Sequence, residues 1–194
     1  MIVGGATRSF RGETWCGDAW ACRRIDTVEQ VALVDGLGHG REAAAAAEAA
    51  LASFATTDRA GPDRILCRMD EAIRTTRGAA VVVASIEPAT RRLVVAGIGN
   101  VRAALFGRRR VHIESVPGIV GTGIRTPRPL ELHWTDRDLL VLWSDGVAAG
   151  LDVDRSLLRL KHQPDAVARR LLDEFATGTD DAAVVCTLLG GTSS

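Results

Sequence analysis

The sequence predicts an α+β fold in which helices pack against antiparallel sheets, and three observations support that prediction. Short runs rich in Val, Ile, Leu and Ala recur along the chain, as is typical of β-strands. These runs outnumber the helical segments. The helical segments come in pairs between blocks of strands, which favours a layered α+β fold over a doubly wound parallel sheet.

Length and composition indicate one globular domain, which we expect to span residues 1–194. The chain is 46% hydrophobic, and its 24 basic and 24 acidic residues cancel, so we expect no nucleic-acid partner. No run reaches the roughly 18 apolar residues of a membrane span, and the N-terminus lacks the features of a signal peptide. We therefore expect a cytoplasmic protein without a membrane partner.

Cysteine and histidine are too dispersed to form the common metal-binding patterns. The four cysteines contain no C-x-x-C pair, and the four histidines contain no H-x-x-x-H pair. The sequence therefore gives neither a zinc-site spacing nor a disulfide framework.

Two predicted strands near the N-terminus form a hairpin. They cover residues 19–25 and 28–34 and are joined by the two-residue turn Asp26-Thr27. The register that this turn imposes places Asp18 directly opposite Asp35. Like charges facing each other destabilise a sheet, so we expect a positive group between these two acids.

The remaining elements follow from apolar spacing and from turn signals. Helices are predicted over 41–55, 63–74, 153–161 and 164–175. Strands are predicted within 1–12 and over 79–86, 92–98, 101–106, 111–114, 130–134, 138–143 and 182–189. We expect the strands between residues 79 and 114 to form an antiparallel meander with Gly99-Asn100 as a hairpin turn, and those over 130–134 and 138–143 to form another pair.

An apolar run that ends in an acid and three glycines marks the candidate functional site. Residues 31–34 predict a buried strand, and Asp35 is the first polar side chain at its end. The glycines within 36–40 allow a sharp turn before the next helix. A carboxylate at such a junction suits a metal or phosphate site, and a turn or helix-cap role is the alternative for Asp35 taken alone.

Four acids lie at predicted strand ends: Asp18 and Asp180 precede strands, and Asp35 and Asp145 follow them. The start of an antiparallel strand lies beside the end of its neighbour, so we expect these acids to gather at one edge. Gathered carboxylates need cations, and hard oxygen ligands select magnesium, manganese or calcium over zinc. The sequence therefore predicts a divalent-metal site, with one carboxylate able to bridge two metals, although each acid alone also fits an ordinary turn.

The order of these motifs resembles that of the metal-dependent type-2C (PPM) protein serine/threonine phosphatases. The motifs are Gly17-Asp18, Val-Asp-Gly at 34–36, Ser-Asp-Gly at 144–146 and Thr-Asp-Asp-Ala-Ala-Val-Val at 179–185. The Asp-Gly-Leu-Gly-His-Gly form at 35–40 is most similar to the bacterial SpoIIE/RsbU/RsbX branch, and to its RsbX-type members in particular. The resemblance implies a four-layer αββα sandwich, with two antiparallel sheets flanked by helix pairs.

The same resemblance implies a two-metal centre that holds manganese or magnesium ions. Asp35 would bridge both ions, and the carbonyl of Gly36 would bind one of them. Asp145 and Asp180 would complete the shell of the other ion. Asp181 stands where relatives have a second polar residue and would support the site from outside.

Departures from the family pattern leave some roles open. Gly17 stands where many relatives have glutamate, so Asp18 binds metal either directly or through water. Many relatives have histidine directly after Asp-Gly as a candidate leaving-group acid, whereas here Leu37 takes that place and His39 comes two places further on. Proton donation falls to His39 or to metal-bound water, and a plain loop role is the alternative for His39. A phosphate-gripping arginine is not identifiable, although Arg8 and Arg11 are nearby in sequence.

The implied activity is hydrolysis of phosphoserine and phosphothreonine in proteins by a water that the metals on Asp35, Asp145 and Asp180 activate. The RsbX-type resemblance implies a phosphorylated STAS-domain protein of the stressosome as substrate, in a bacterial stress response under sigma-factor control, and a monomer or weak dimer. The alternatives are a phosphorylated anti-sigma-factor antagonist as substrate, a noncatalytic regulator with the same fold, and a hydrolase of small phosphorylated metabolites.

Overall fold

Two five-stranded antiparallel sheets form the centre of the computed structural model, which describes residues 2–154, 157, 160 and 162–190. The strands are β1 (Ile2–Arg8), β2 (Asp18–Ile25), β3 (Val28–Gly36), β4 (Ala79–Glu87), β5 (Arg92–Ile98), β6 (Arg102–Phe106), β7 (Arg110–Ile113), β8 (Leu130–His133), β9 (Leu139–Trp143) and β10 (Ala182–Leu188). The helices that the structure describes are α1 (Arg41–Thr56), α2 (Pro62–Ala72) and α3 (Pro164–Phe175). The first sheet has the order β2-β3-β4-β5-β8, and the second has the order β1-β10-β9-β6-β7.

The two sheets stack face to face, and helices cover their outer faces. Leu33 of the first sheet and Leu140 of the second lie in the same apolar layer between the sheets. Phe54 of α1 and Met69 of α2 pack on the outside of the first sheet, and Leu171 of α3 packs on the outside of the second. These layers confirm the predicted α+β class and the αββα sandwich.

The helices confirm the first predicted pair and part of the second. Helices α1 and α2 follow each other on the first sheet, and the buried face of α1 is mostly alanine, which lets its backbone lie close to the strands. The helix predicted over 153–161 falls mainly on residues outside the described set. Helix α3 is therefore the member of the second pair that the structure describes. Within the described residues, no helix is long and apolar enough to cross a membrane.

The predicted N-terminal hairpin is confirmed, including its register. Strands β2 and β3 pair so that Asp18 faces Asp35. The turn residue Asp26 has a φ of 55°, a left-handed conformation that aspartate tolerates better than most residues and that suits a two-residue hairpin turn.

The predicted meander is confirmed in its pairs β4–β5 and β6–β7 and is wrong in joining them, because the chain crosses from one sheet to the other after β5. Strand β5 pairs with β4 and β8 in the first sheet, whereas β6 pairs with β7 and β9 in the second. Gly99-Asn100 is therefore a crossing between sheets and not a hairpin turn. The predicted pair over 130–134 and 138–143 is wrong for the same reason, since β8 and β9 also lie in different sheets. Strands stacked across a sandwich and strands paired within a sheet bury the same apolar residues, so periodicity does not separate the two arrangements.

A buried carboxylate holds the glycine-rich loop over 116–124 against α2. Asp70 is only 3% exposed, and its Oδ1 accepts hydrogen bonds from the backbone N–H groups of Gly121, Gly123 and Ile124 at 2.7, 3.1 and 3.3 Å. Burial raises the pKa of this carboxyl, but these three bonds, together with the charge of Arg74, outweigh it and leave the pKa lowered. Asp70 therefore acts as an ionised anchor for a loop that runs beside the end of the first sheet.

Replacing Asp70 with alanine is expected to lower the free energy of unfolding by about 2–3 kcal/mol, because the loop loses its three charge-assisted hydrogen bonds. Urea unfolding of Asp70→Ala measures the change. Glu71→Ala is the matched control, since Glu71 is exposed and, among the described residues, pairs only with exposed Arg68 at 3.3 Å. Equal stability of the Asp70 variant and the parent would contradict the anchoring role.

Candidate metal centre

The four predicted acids come together at one end of the sandwich, with two contributed by each sheet. Asp18 begins β2, and Asp35 lies near the end of β3. Asp145 follows β9, and Asp180 precedes β10, so the second sheet supplies the other two. The sequence predicts that these acids share one sheet edge, whereas the structure assembles them across two sheets. We call Asp18, Asp35, Asp145 and Asp180 the acid cluster.

Helix α1 fixes the turn that follows Asp35. Gly36 packs so closely on the start of α1 that a Cβ there would lie 2.2 Å from the carbonyl oxygen of Ala43. Its N–H donates to the carbonyl of Gly17 at 3.0 Å, and the N–H of Leu37 donates to the carbonyl of Gly78 at 3.0 Å. The end of β3 is therefore held from both sides, and only glycine fits at position 36.

Asp181 joins the two halves of the site through backbone hydrogen bonds. Its side chain is 2% exposed, and its oxygens accept from the N–H groups of Phe10 and Gly17, each at 2.7 Å. Gly17 immediately precedes Asp18, so Asp181 ties the loop before β2 to the start of β10. These contacts place Asp181 beside the acid cluster.

Two members of the acid cluster carry buried oxygens that have no partner in the part of the chain that the structure describes. Within the described residues, neither carboxylate oxygen of Asp18 nor Oδ2 of Asp35 has a hydrogen-bond partner. Burial raises the pKa of Asp18 to about 7, and the nearby Ser144 hydroxyl opposes part of that rise while Asp181, Asp145 and Asp180 add to it. Burial, and then the charges of Asp18, Asp145 and Asp180, raise the pKa of Asp35 to about 9. Orphaned buried carboxylates that face further carboxylates are a donor set that fits hard divalent cations.

The side chains are not already arranged as a finished ligand cage. Among the described residues, no three carboxylate, imidazole or thiol groups surround one point in a way that could hold a metal ion. Asp145 is exposed, and one of its oxygens accepts a hydrogen bond from the side-chain amide of Asn100 at 2.5 Å. Shared coordination of an ion by these acids therefore requires side-chain rotation, which is easiest at exposed Asp145.

The other candidate residues lie around the cluster and have partners of their own. His39 Nδ1 is 2.8 Å from Glu13 Oε1, and its ring lies 5.3 Å from the ring of Phe10. The structure thus gives His39 contacts in the loop before β2. Arg8 forms an ion pair with Asp173 of α3, while Arg11 is exposed.

Sequence reasoning missed two residues at the site. Asn100 was assigned to a turn, and its contact with Asp145 becomes visible only when the crossing between sheets is known. Glu13, which contacts His39, belongs to no motif, and no sequence signal pointed to it. Both contacts join residues that are distant in sequence.

The metal-free protein is expected to lose stability as the pH rises from about 4 to 9. The unfolded chain releases the protons of Asp18 and Asp35 near 3.8, whereas the folded protein holds them to pKa values of about 7 and about 9. In that window the folded state binds more protons, so raising the pH favours unfolding. The stabilisation that ionised Asp70 gives to the folded state is lost only at acid pH, outside this window, because the pKa of Asp70 is lowered. Chemical denaturation in a chelator at pH 5, 7 and 9 measures the trend, and stability that rises with pH would contradict it.

Comparison with known families gives one family match over most of the chain. The model for stage II sporulation protein E (SpoIIE) matches residues 27–188. No curated protein gives a significant match.

Solved structures with the same fold cover nearly the whole chain. A structure from work on the bacterial stressosome, as a modular system adapted to control secondary messenger signalling, is 29% identical, with a TM-score of 0.88 over 95% of this chain and 97% of that chain. RsbX in complex with magnesium is 21% identical, with a TM-score of 0.78 over 94% of this chain and 92% of that chain. The catalytic domain of the serine/threonine protein phosphatase PstP with two manganese ions is 17% identical, with a TM-score of 0.65 over 97% of this chain and 98% of that chain.

Proposed function

We propose that this chain, which belongs to the SpoIIE family of PP2C-type phosphatases, is a metal-dependent phosphoserine and phosphothreonine protein phosphatase. The observation that carries the proposal is the acid cluster, in which orphaned buried carboxylates of one sheet face the acids of the other. A fold maintained without this function has no need for unpaired buried carboxylates, which are costly. The cluster therefore favours an enzyme over a noncatalytic regulator.

The metal ligands proposed for this site are those expected from the sequence. Asp35 and the carbonyl of Gly36 would hold one ion, with Asp35 shared by a second ion that Asp145 and Asp180 complete. Manganese or magnesium suits these oxygen donors, and the ions of PstP and RsbX support that choice. When bound, two such ions lower the pKa of a shared water and neutralise the phosphate under attack.

Two further acids are assigned by their surroundings. Asp18 lies opposite Asp35 and is nearly fully buried, so it contributes either as a direct ligand or through a bound water. Both oxygens of Asp181 are engaged by backbone N–H groups, which supports a positioning role from outside the metal shell. Loss of the protons on Asp18 and Asp35 accompanies cation binding, so the affinity for metal rises with pH.

A proton for the leaving serine or threonine oxygen would come from His39 or from metal-bound water. The contact of His39 Nδ1 with Glu13 leaves Nε2 as the nitrogen available to hold that proton. The ring is about half exposed, so a docked phosphoprotein is able to reach it. The alternative for His39 is a structural role in the loop, through its contact with Glu13.

The proposed substrate is a phosphorylated STAS-domain protein of a stressosome, in a bacterial stress response under sigma-factor control. The support is the 29% identity, over nearly the whole chain, to a structure from work on the bacterial stressosome, together with the fold shared with RsbX. We further propose a single phosphatase domain over residues 1–194 that acts in the cytoplasm as a monomer or weak dimer. A phosphorylated anti-sigma-factor antagonist is the second candidate substrate.

Rates of phosphate release from four substrates test this proposal. They are a phosphorylated stressosome STAS protein, a phosphorylated anti-sigma-factor antagonist, an unrelated phosphopeptide and a small chromogenic phosphate, each with manganese and with a chelator. We expect manganese-dependent release that is fastest on the STAS protein. Equal rates on all four would contradict recognition of a STAS surface, preference for the small phosphate would favour a metabolite hydrolase, and no release with manganese would favour a noncatalytic regulator.

A further inference from the structure

The crossing between sheets places Asn100 beside Asp145. Strand β6 pairs with β9 so that Arg102 lies opposite Trp143 at the end of the pairing, and Asn100 and Asp145 each lie two residues beyond that pair. The side-chain amide of Asn100 donates to Oδ2 of Asp145 at 2.5 Å. Because the acceptor is a carboxylate, this is a charge-assisted hydrogen bond that joins the crossing to the segment after β9.

The backbone that carries Asn100 is fixed independently of Asp145. Gly99 has a φ of 94°, and a Cβ there would lie 2.4 Å from the Cβ of Ala80, so the chain passes too close to β4 for any other residue. The N–H of Gly99 donates to the carbonyl of Val116 at 2.9 Å. The hydroxyl of Ser115 donates to the carbonyl of Val101, on the other side of Asn100, at 2.8 Å. Asn100 is therefore presented by a rigid support.

The side chain of Asp145 is less constrained than its backbone, because it is exposed and follows the end of β9. An exposed aspartate samples several rotamers unless a partner selects one. The amide of Asn100 holds one oxygen of Asp145, while the carboxyl remains close enough to Asp35 to raise its pKa. An amide does this without adding another negative charge to the acid cluster.

We infer that Asn100 is a positioning residue that orients Asp145 toward the acid cluster and so raises the affinity of the site for divalent cations. This inference rests on the proposed function, in which Asp145 is a metal ligand. Partners that orient metal ligands contribute about 10- to 100-fold to metal affinity. The contribution of Asn100 acts on metal affinity and leaves the binding of the phosphoprotein unchanged.

Calorimetric titration of manganese into the metal-free protein tests the inference with Asn100→Leu, which keeps the approximate side-chain size and removes the donor. We expect manganese binding about 10-fold weaker than in the parent. We also expect turnover that recovers at excess manganese with an unchanged KM for the phosphoprotein. Ser115→Ala is the matched control, because it removes a hydrogen bond at the same crossing without touching Asp145. The packing of Gly99 on Ala80 and its bond to Val116 still hold the backbone of Asn100 in that variant, so its manganese affinity is expected to equal that of the parent.

The outcomes separate the two proposals. No manganese binding by the parent would defeat the proposed function itself. Binding by the parent with equal affinity in Asn100→Leu would defeat the positioning role alone. Equally weakened manganese binding in Asn100→Leu and Ser115→Ala would assign the effect to the backbone of the crossing. That result would also overturn the positioning role of Asn100.

Discussion

Asp35→Asn is expected to reduce turnover by at least about 10³-fold, while its metal-free form melts no lower than that of the parent. The shared ligand loses its anionic oxygen, so neither proposed ion is held correctly. In the absence of metal, burial and the neighbouring acids disfavour the charged form of the Asp35 carboxyl, and they raise its pKa to about 9. Replacing that carboxyl with a neutral amide removes this unfavourable charge, so the metal-free variant is not expected to be less stable. Manganese-dependent phosphate release and calorimetric melting in a chelator measure the two effects.

Asp26→Asn is the matched control for that experiment. Asp26 lies in the turn of the same hairpin, its side chain is exposed, and asparagine tolerates its φ of 55°. We expect parental turnover and stability in the control. Near-parental turnover in a correctly folded Asp35→Asn would overturn the assignment of Asp35 as the shared ligand.

Gly146→Ala is expected to lower turnover by about 10²-fold and the free energy of unfolding by about 2–3 kcal/mol. Gly146 is buried next to Asp145, and a Cβ there would lie 1.9 Å from the backbone carbonyl oxygen of Asp181. Because the obstacle is backbone, relief requires the segment with Asp145 to move away from the segment with Asp180 and Asp181. The movement loosens the packing between the two segments and displaces Asp145 and Asp180, which are both proposed metal ligands.

Gly150→Ala separates this effect from a general cost of alanine in the segment. Gly150 follows in the same loop, and nothing lies within 4 Å of a Cβ built there. The control is expected to match the parent in turnover and in urea unfolding. If Gly146→Ala behaved like Gly150→Ala, the close packing of Gly146 on Asp181 would not matter for function.

The register of the N-terminal hairpin was predictable because a two-residue turn leaves one pairing, which places Asp18 opposite Asp35. The strand-end positions of Asp145 and Asp180 were predictable from apolar runs that stop at an acid. Such local signals were enough to identify the acid cluster. The same signals also predicted the fold class, because the order of strands and helices along the chain determines which layers they form.

The partners of these acids could not be predicted, because they depend on how the sheets stack. Asn100 reaches Asp145 only because the chain changes sheets at Gly99, and an apolar pattern is the same for stacked and for paired strands. Asp181 accepts from Phe10, 171 positions away in sequence. Asp70 holds a glycine-rich loop 51–54 positions away, and nothing in its local sequence indicates that contact.

Calorimetric titration of manganese into the metal-free protein and into Asp35→Asn tests most directly whether the acid cluster is a two-metal centre. We expect two manganese ions per parent chain at neutral pH, with tighter binding as the pH is raised, because Asp18 and Asp35 must lose their protons. We expect binding at least about 100-fold weaker in Asp35→Asn. No saturable binding by the parent, or equal binding by both proteins, would contradict a metal centre built on Asp35.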